Sequence, residues 1–412
     1  MNVWIVNHYA IPPSMGGLVR HYYFSKYLQK KGHTVKIFTS SKIHNTDINM
    51  IKDKSLYREE MEDGVEYTFV RSRDYKGNGI DRIVNMIDLP FKMWKTMKQF
   101  WKKKKPDVIY TSSPDLFVAF FALLFGKRHR VPVVVEIRDL WPESIVVYNK
   151  MSKRNLIIRV LYQLEKWIYQ KADRLIFTMP GGVNYIKDKG WEKQIDLSKI
   201  FHVNNGVDKE EFEYNCCRFT IQDDLLENNE YFNIIYTGSI RKANGLDKLV
   251  DVAEYIQNRG ETNIRFVIYG GGSAREILEK YCDEKNIRNV FFRGKVDKKY
   301  IPYILSRGKV NFMHGIATPI MKYGCSPNKL FDYIASGKPI VSDLAAAFDL
   351  IKKYDLGLTL KEPSIKKIAE TFLFLEDNYE QISLRVKANS KKVVKEYDYK
   401  SLTEKVEKIL IF

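Results

Sequence analysis

At 412 residues the chain exceeds what one hydrophobic core organises, and its composition, 45% hydrophobic and 29% charged, is that of a two-domain globular protein, which excludes a disordered or fibrous chain. A formal net charge of +18 points to an anionic partner: nucleic acid, an anionic membrane or a phosphorylated ligand. The four cysteines, Cys216, Cys217, Cys282 and Cys325, are too few and too unevenly spaced for a disulfide framework or a zinc site and are read as reduced thiols.

The first apolar run, residues 3–7, lacks the basic leader and cleavage site of an export signal and is read as a strand. Further strands are expected at 34–39, 66–71, 107–110, 133–137, 174–177 and 200–203, with amphipathic helices between them. After Asn204, Asn205 and Gly206 a polar connector is expected over 208–230. The alternation then restarts with strands at 234–237, 265–269, 290–293, 310–314 and 339–342. Strands alternating with helix-length segments predict parallel sheets built from βα units, hence an α/β fold of two domains. The longest apolar stretch, 116–125, is too short to span a bilayer, so membrane contact is expected to be peripheral.

Ligand loops in such folds follow the strands. The first strand leads into Gly16 and Gly17 ahead of a helix expected from 19 to 31. Two glycines there let backbone N–H groups approach an anion, although they also suit a plain tight turn. The dinucleotide fingerprint G-x-G-x-x-G is absent, which disfavours a dehydrogenase. In the second half, Gly238 is followed by Arg241 and Lys242, two cations able to neutralise a diphosphate. Gly271 lies within a Gly270-Gly271-Gly272 loop of the same strand-to-helix kind. The stretch from Ser326 to Val341 predicts a short helix capped by Ser326, with Pro327 at its first position and Gly337 ending it. Asn328 and Asp332, four residues apart, share a face near the helix start, where a carboxylate can take ribose hydroxyls while the helix end receives phosphate.

Together, Gly16-Gly17, Asn205-Gly206-Val207-Asp208, the Gly238 and Lys242 loop, Gly270 to Gly272, and Asp332 to Pro339 resemble the GT-B glycosyltransferases, specifically retaining family 4, over nearly the whole chain. The run Glu136 to Ser144, paired with Ser326 to Pro339, is similar to bacterial N-acetylfucosamine transferases of O-antigen and capsule assembly. The resemblance implies two facing Rossmann-like domains with a cleft between them: 1–205 for the acceptor, 206–397 for the nucleotide sugar, and a last helix, 398–412, crossing back to the first. It implies a nucleotide-sugar donor, favours uridine, and puts Lys295 and Val296 at the base and Lys329 at the diphosphate. It also implies a polyprenyl-diphosphate-linked saccharide acceptor and a cytoplasmic enzyme, peripheral on the inner face of the cell membrane. The family's paired glutamates are reduced here to Asp332, with Gly324 at the first position, and Arg138-Asp139 stands where relatives present His-Asp. Retention needs leaving-group stabilisation more than a base, which Arg241, Lys242 and the helix near Ser326 would supply. An inverting enzyme would use Asp139 or Glu143 as general base, with Arg138 binding phosphate or holding Asp139. No Asp-x-Asp motif occurs, so no metal or other cofactor is expected.

Residues 91–105, FKMWKTMKQFWKKKK, set Trp94, Met97 and Trp101 at helical spacing among lysines including Lys98 and Lys102, the pattern of an interfacial helix on an anionic membrane. Core packing under a solvated lysine face fits the same pattern. Nucleic acid is disfavoured, since there is no zinc-finger spacing, RNA-recognition signature or basic low-complexity arm. A nucleotide-sugar epimerase of the same architecture and a non-catalytic binding module are the competing readings.

Overall fold

In the computed structural model all residues of the chain are described except Asn78, Asn229 and Thr262, together with the side chain of Ala243. Two units are formed: Met1–Asn204 with Tyr399–Phe412, and Asn205–Asp398. The first contains β1 (Asn2–Asn7), β2 (Thr34–Ser40), β3 (Tyr57–Glu62), β4 (Val65–Val70), β5 (Val108–Ser112), β6 (Val133–Ile137), β7 (Arg174–Phe177) and β8 (Ile200–His202). They form one sheet in the order β3-β4-β2-β1-β5-β6-β7-β8, parallel except for the β3–β4 pair. Every residue of β1, β5 and β6 is buried, because helices cover both faces of a parallel sheet. Those helices include α1 (Arg20–Lys30), α2 (Ile80–Lys103), α3 (Leu116–His129), α4 (Glu143–Tyr148) and α5 (Leu156–Lys171).

The seven strands expected in this half all form, with ends within two residues of expectation. Strand β3 was not expected: its sequence, YREEME, is charged and largely solvent-exposed, the guarded character of an edge strand and not the apolar run of a buried one.

The second unit contains β9 (Phe232–Thr237), β10 (Ile264–Tyr269), β11 (Val290–Gly294), β12 (Val310–Met313), β13 (Ile340–Ser342) and β14 (Gly357–Thr359), all parallel in the order β11-β10-β9-β12-β13-β14. Counted within the unit this is 3-2-1-4-5-6, the order of dinucleotide-binding folds. The polar connector is partly helical, with helices Lys209–Arg218 and Asp224–Glu227. Asp208 caps the first by accepting the Glu211 N–H at 3.0 Å, and Phe212 anchors it in the core.

The last helix, Tyr399–Leu410, belongs to the first unit. Tyr399 stacks on Tyr23 of α1 at 4.5 Å and meets Phe24 edge-on at 5.7 Å, while Leu402, Val406, Ile409 and Leu410 enter the core shared with β1 and β2. Among the described residues no helix is long and apolar enough to cross a membrane. Leu402→Ala should cost about 2 to 5 kcal/mol, as for a cavity-forming change in a packed core. Urea unfolding that left the midpoint unchanged would show that the helix adds nothing to the unit.

Candidate functional site

In the second unit the chain winds outward from β9 in both directions, so β9 and β12 are neighbours joined by no direct connection, and their carboxyl ends open a crevice. The loops that follow β9, β10 and β11 lie stacked at this end. Gly238 N–H donates to Tyr269 O (3.0 Å), Ile240 N–H to Gly271 O (2.9 Å) and Gly270 N–H to Gly294 O (2.7 Å). A Cβ on Gly270 would sit 1.7 Å from Gly238 O, and one on Gly272 2.2 Å from Ile240 O. These glycines therefore serve loop-on-loop packing. The Gly238 N–H is used within the stack. Arg241 and Lys242 are exposed on the same loop, and Lys295, also exposed, approaches Gly271, with Val296 partly buried beside it.

The helix Asn328–Ser336 begins at the crevice. Pro327 is its cap residue and no side chain caps it, which corrects the expected Ser326 cap and the first-position proline: the Ser326 hydroxyl instead accepts the Asn205 N–H at 2.8 Å. The Tyr333 hydroxyl accepts the Thr237 N–H at 3.0 Å and so ties the helix to the end of β9; Gly337, left-handed at φ 69°, stops it. Lys329 extends to the Gly238 turn, where its Nζ donates to the Tyr236 hydroxyl at 3.2 Å and lies 4.3 Å over that ring. Burial pushes its ammonium down to about 8, against the pull of Asp343. One turn on, Asp332 makes no hydrogen bond among the described residues. Burial pushes its carboxyl up, Lys298 opposing and Glu211 adding to the shift.

Sequence reasoning missed His314. It directly follows β12, across the crevice from β9, with Nδ1 2.8 Å from Asp343 Oδ2 and Nε2 2.6 Å from Gly245 O, which joins the two sides of the switch point. Its position closing an expected strand was the available signal.

The first unit has the same winding, from β1, and its switch point lies between β1 and β5. A second missed pair spans it. His8, just past β1, directs Nδ1 to Asp115 Oδ2 at 2.6 Å; both are buried, and His8 Nε2 has no hydrogen-bond partner among the described residues. Asp115 is fixed by capping α3 through the Phe117 and Val118 N–H groups. Gly16 and Gly17 lie nearby in sequence and precede α1, which starts at Arg20, one residue after the expected start, with Val19 as its cap residue.

Arg138 and Asp139 follow β6. Burial pushes the Arg138 guanidinium down and the Asp139 carboxyl up, with Ser144 and the Leu140 N–H partly offsetting the latter. Glu143 is not a free base: Lys189, Lys153 and Tyr162 converge on it and, outweighing its burial, hold it down at about 2. Buried behind these residues, Glu136 accepts from Arg20 (2.8 Å), Tyr110 (2.5 Å) and Ser112 (2.8 Å), while Arg20 also donates to Val203 O and Asn204 O. Among the described residues no cluster of three or more His, Cys, Asp or Glu side chains could hold a metal ion.

Residues 15–211 match the family model Glycosyltransferase Family 4, and residues 218–393 match Glycosyl transferases group 1. The two parts of the chain belong to these two glycosyltransferase families. A putative colanic acid biosynthesis glycosyl transferase, WcaI of Escherichia coli (strain K12), is 22% identical over 245 residues, 57% of this chain; the chain thus spans 57% of that relative's length. Anabaena Alr3699/HepE, solved in complex with UDP, superposes with a TM-score of 0.68 at 12% identity, covering 100% of this chain and 99% of that one. WaaG, a glycosyltransferase involved in lipopolysaccharide biosynthesis, gives 0.66 at 12% identity, covering 100% of both. These likenesses establish the GT-B fold.

In the family 4 part, one residue of the expected membrane face of α2 is corrected: Met97 is 2% exposed and packs inward. Trp94 and Trp101, half-buried, lie against α3, 5.2 and 6.0 Å from the Phe125 ring, and Lys98 and Lys102 are exposed. Burial alone would push the Glu136 carboxyl up, but Arg20, His21 and Arg138 hold it well below the usual carboxylate range. Its stabilising contribution is therefore in full force above the ordinary value of 4.5 and is lost as pH falls through the depressed native value. Glu136→Gln should cost about 3 to 5 kcal/mol at neutral pH, the penalty for breaking a buried pair, with the gap to wild type narrowing in acid. Chemical denaturation at several pH values measures this; a pH-independent gap would contradict the assignment.

Proposed function

We propose that the chain is a retaining glycosyltransferase that moves a sugar from a UDP-linked donor to a lipid-linked saccharide in bacterial surface polysaccharide synthesis at the cytoplasmic face of the membrane. The observation that carries this is the convergence, at the second unit's switch point, of Lys329, the uncapped start of the helix Asn328–Ser336 and the unpaired Asp332. A helix N-terminus with adjacent cations receives a diphosphate, and a carboxylate one turn on takes ribose hydroxyls. HepE's UDP and the biosynthetic role in WcaI's name support the donor and the pathway class. The donor sugar is taken to be an N-acetylated deoxy-aminosugar or a related hexose, from the resemblance of the Glu136 to Ser144 run paired with Ser326 to Pro339.

In this reading Lys242, Arg241 and Lys329 stabilise charge on the departing UDP, whose phosphate oxygen takes the acceptor proton on the same face of the sugar. The acceptor is bound by the first unit beside His8 and Asp139, within reach of an anionic membrane. No step calls for a metal.

Asp332→Ala should weaken donor binding about 10- to 100-fold through the lost ribose contacts, while Lys242→Ala should mainly lower kcat. Steady-state kinetics with UDP-sugars separates the two effects, and wild-type kinetics in both variants would remove the site. Lys329 adds a pH signature. With its ammonium near 8 in the free protein and raised by a bound diphosphate, UDP affinity should hold steady below pH 8 and fall up to tenfold per unit above it. Lys329→Arg, which stays charged, should abolish that fall in calorimetric titrations. A flat wild-type profile would take Lys329 out of the diphosphate site.

A further inference from the structure

Strands β9 and β12 pair only at the start of β12, Val310 with Ile234 and Asn311 with Ile235, and then part to open the crevice. His314, directly after β12, reaches back across that gap. Strands β12 and β13 instead stay paired to their ends, Met313 with Ser342, so the next residue of each, His314 and Asp343, stand side by side. Both are buried. The Gly245 carbonyl can only accept, so the His314 Nε2 at 2.6 Å carries the hydrogen, while Nδ1 faces Asp343 Oδ2 at 2.8 Å. Asp343 is held in turn: its Oδ1 accepts the Gly315 N–H at 3.4 Å, and Lys248 Nζ lies 3.7 Å from Oδ2. With both ring nitrogens engaged, His314 is neither a free base nor a ligand for the donor.

What the ring holds is the turn that carries the cations. Arg241 and Lys242 are exposed between two buried anchors, Ile240 and Leu246. Within the turn the Asn244 N–H donates to Arg241 O (2.8 Å), the Gly245 N–H to Lys242 O (3.2 Å) and the Ser239 hydroxyl to Asn244 Oδ1 (3.1 Å), and Gly245 closes it in the left-handed conformation at φ 64°. All of these bonds are local. They shape the turn but do not tie it to the sheet. Among the described residues, the one hydrogen bond from 241–245 to another strand end is that of His314 to Gly245 O. Ile316 packs beside it, since a Cβ on Gly245 would lie 3.0 Å from that side chain.

A long, exposed lysine lowers a barrier only where its backbone is fixed. Stabilisation of developing charge depends on cations already in place, and a misplacement of about 1 Å can cost on the order of 100-fold in rate. We infer that His314, aimed by Asp343, is a positioning residue for the donor reaction: it latches the turn 241–245 to the end of β12 and so sets Lys242 against the diphosphate of the departing nucleotide. The inference rests on the role proposed above for Lys242, and it gives a task to a side chain that touches neither the sugar nor the nucleotide.

Two substitutions separate the ring's two bonds, because a glutamine amide can stand in for Nε2 and an asparagine amide for Nδ1. In the free full-length chain, His314→Asn loses the bond to Gly245 and should speed hydrogen exchange of the segment 241–248, whereas His314→Gln should not. With the UDP-sugar that wild type uses best, His314→Asn should lower kcat about 10- to 100-fold with little change in donor KM, and His314→Gln should stay within about threefold. On a Lys242→Ala background the two His314 variants should turn over alike, because the side chain they position is gone. A histidine that only compensates Asp343 would give the opposite order, with asparagine tolerated and glutamine not. That order, unchanged exchange in His314→Asn, or a loss in His314→Asn that persists in full without Lys242 would overturn the inference. Should His314→Asn fail to fold, His314→Gln still decides, since a kcat lowered more than about tenfold in it has the same consequence. Wild-type kcat in Lys242→Ala would instead remove the donor reading, and with it this role, while faster exchange in His314→Asn would still show the latch.

Discussion

Both sheets are wound outward in two directions from their first strand, and that constraint sets where everything functional can be. In each unit the first and fourth parallel strands in sequence lie side by side with no connection bridging their carboxyl ends, which leaves a crevice that loops line but do not fill. His8 and Asp115 occupy one crevice; the Gly238 turn, Lys329 and His314 occupy the other. The side chains able to do chemistry are at these positions because the winding leaves backbone and space there.

Burial then assigns tasks among the charged groups. Glu136 and Glu143 are each surrounded by cations or hydroxyl donors and held ionised, so their free energy goes into structure. Asp332, Asp139 and Lys329 are in surroundings that disfavour their charged forms and lack full compensation. Groups left in that state gain most from an incoming ligand of opposite charge or with hydroxyls to share, the usual mark of a binding position. The glycines differ too: those at 270 and 272 are required by close loop packing, whereas Gly238 faces the Lys329 and Tyr236 side chains.

Much of this was legible in the sequence because buried parallel strands are largely apolar runs, so residues 133–137 and 174–177 could be delimited in spite of Glu136 and Arg174 within them. Strand β3 was not legible, since an edge strand rich in Glu and Arg has no apolar signal, and neither was the three-residue β14. Asn328, Lys329 and Asp332 were legible as a set because helical spacing fixes their common start. The pairs His8–Asp115 and His314–Asp343 were not, because each joins residues far apart in the chain through strand neighbours that only the sheet order reveals. The inward placement of Met97 on α2 was not legible for a related reason. Periodicity showed that one side was apolar, but which residues α3 would cover depended on packing that spacing does not encode.

The central claim is that the second unit's switch point receives the donor's diphosphate. Hydrogen exchange of the full chain with and without UDP tests it most directly, because a bound diphosphate slows local opening around its contacts. The account predicts slowed exchange in the segments 238–246 and 327–333, with the loop at Gly16 and Gly17 unchanged. Slowing confined to the first unit, or none anywhere at saturating UDP, would contradict it.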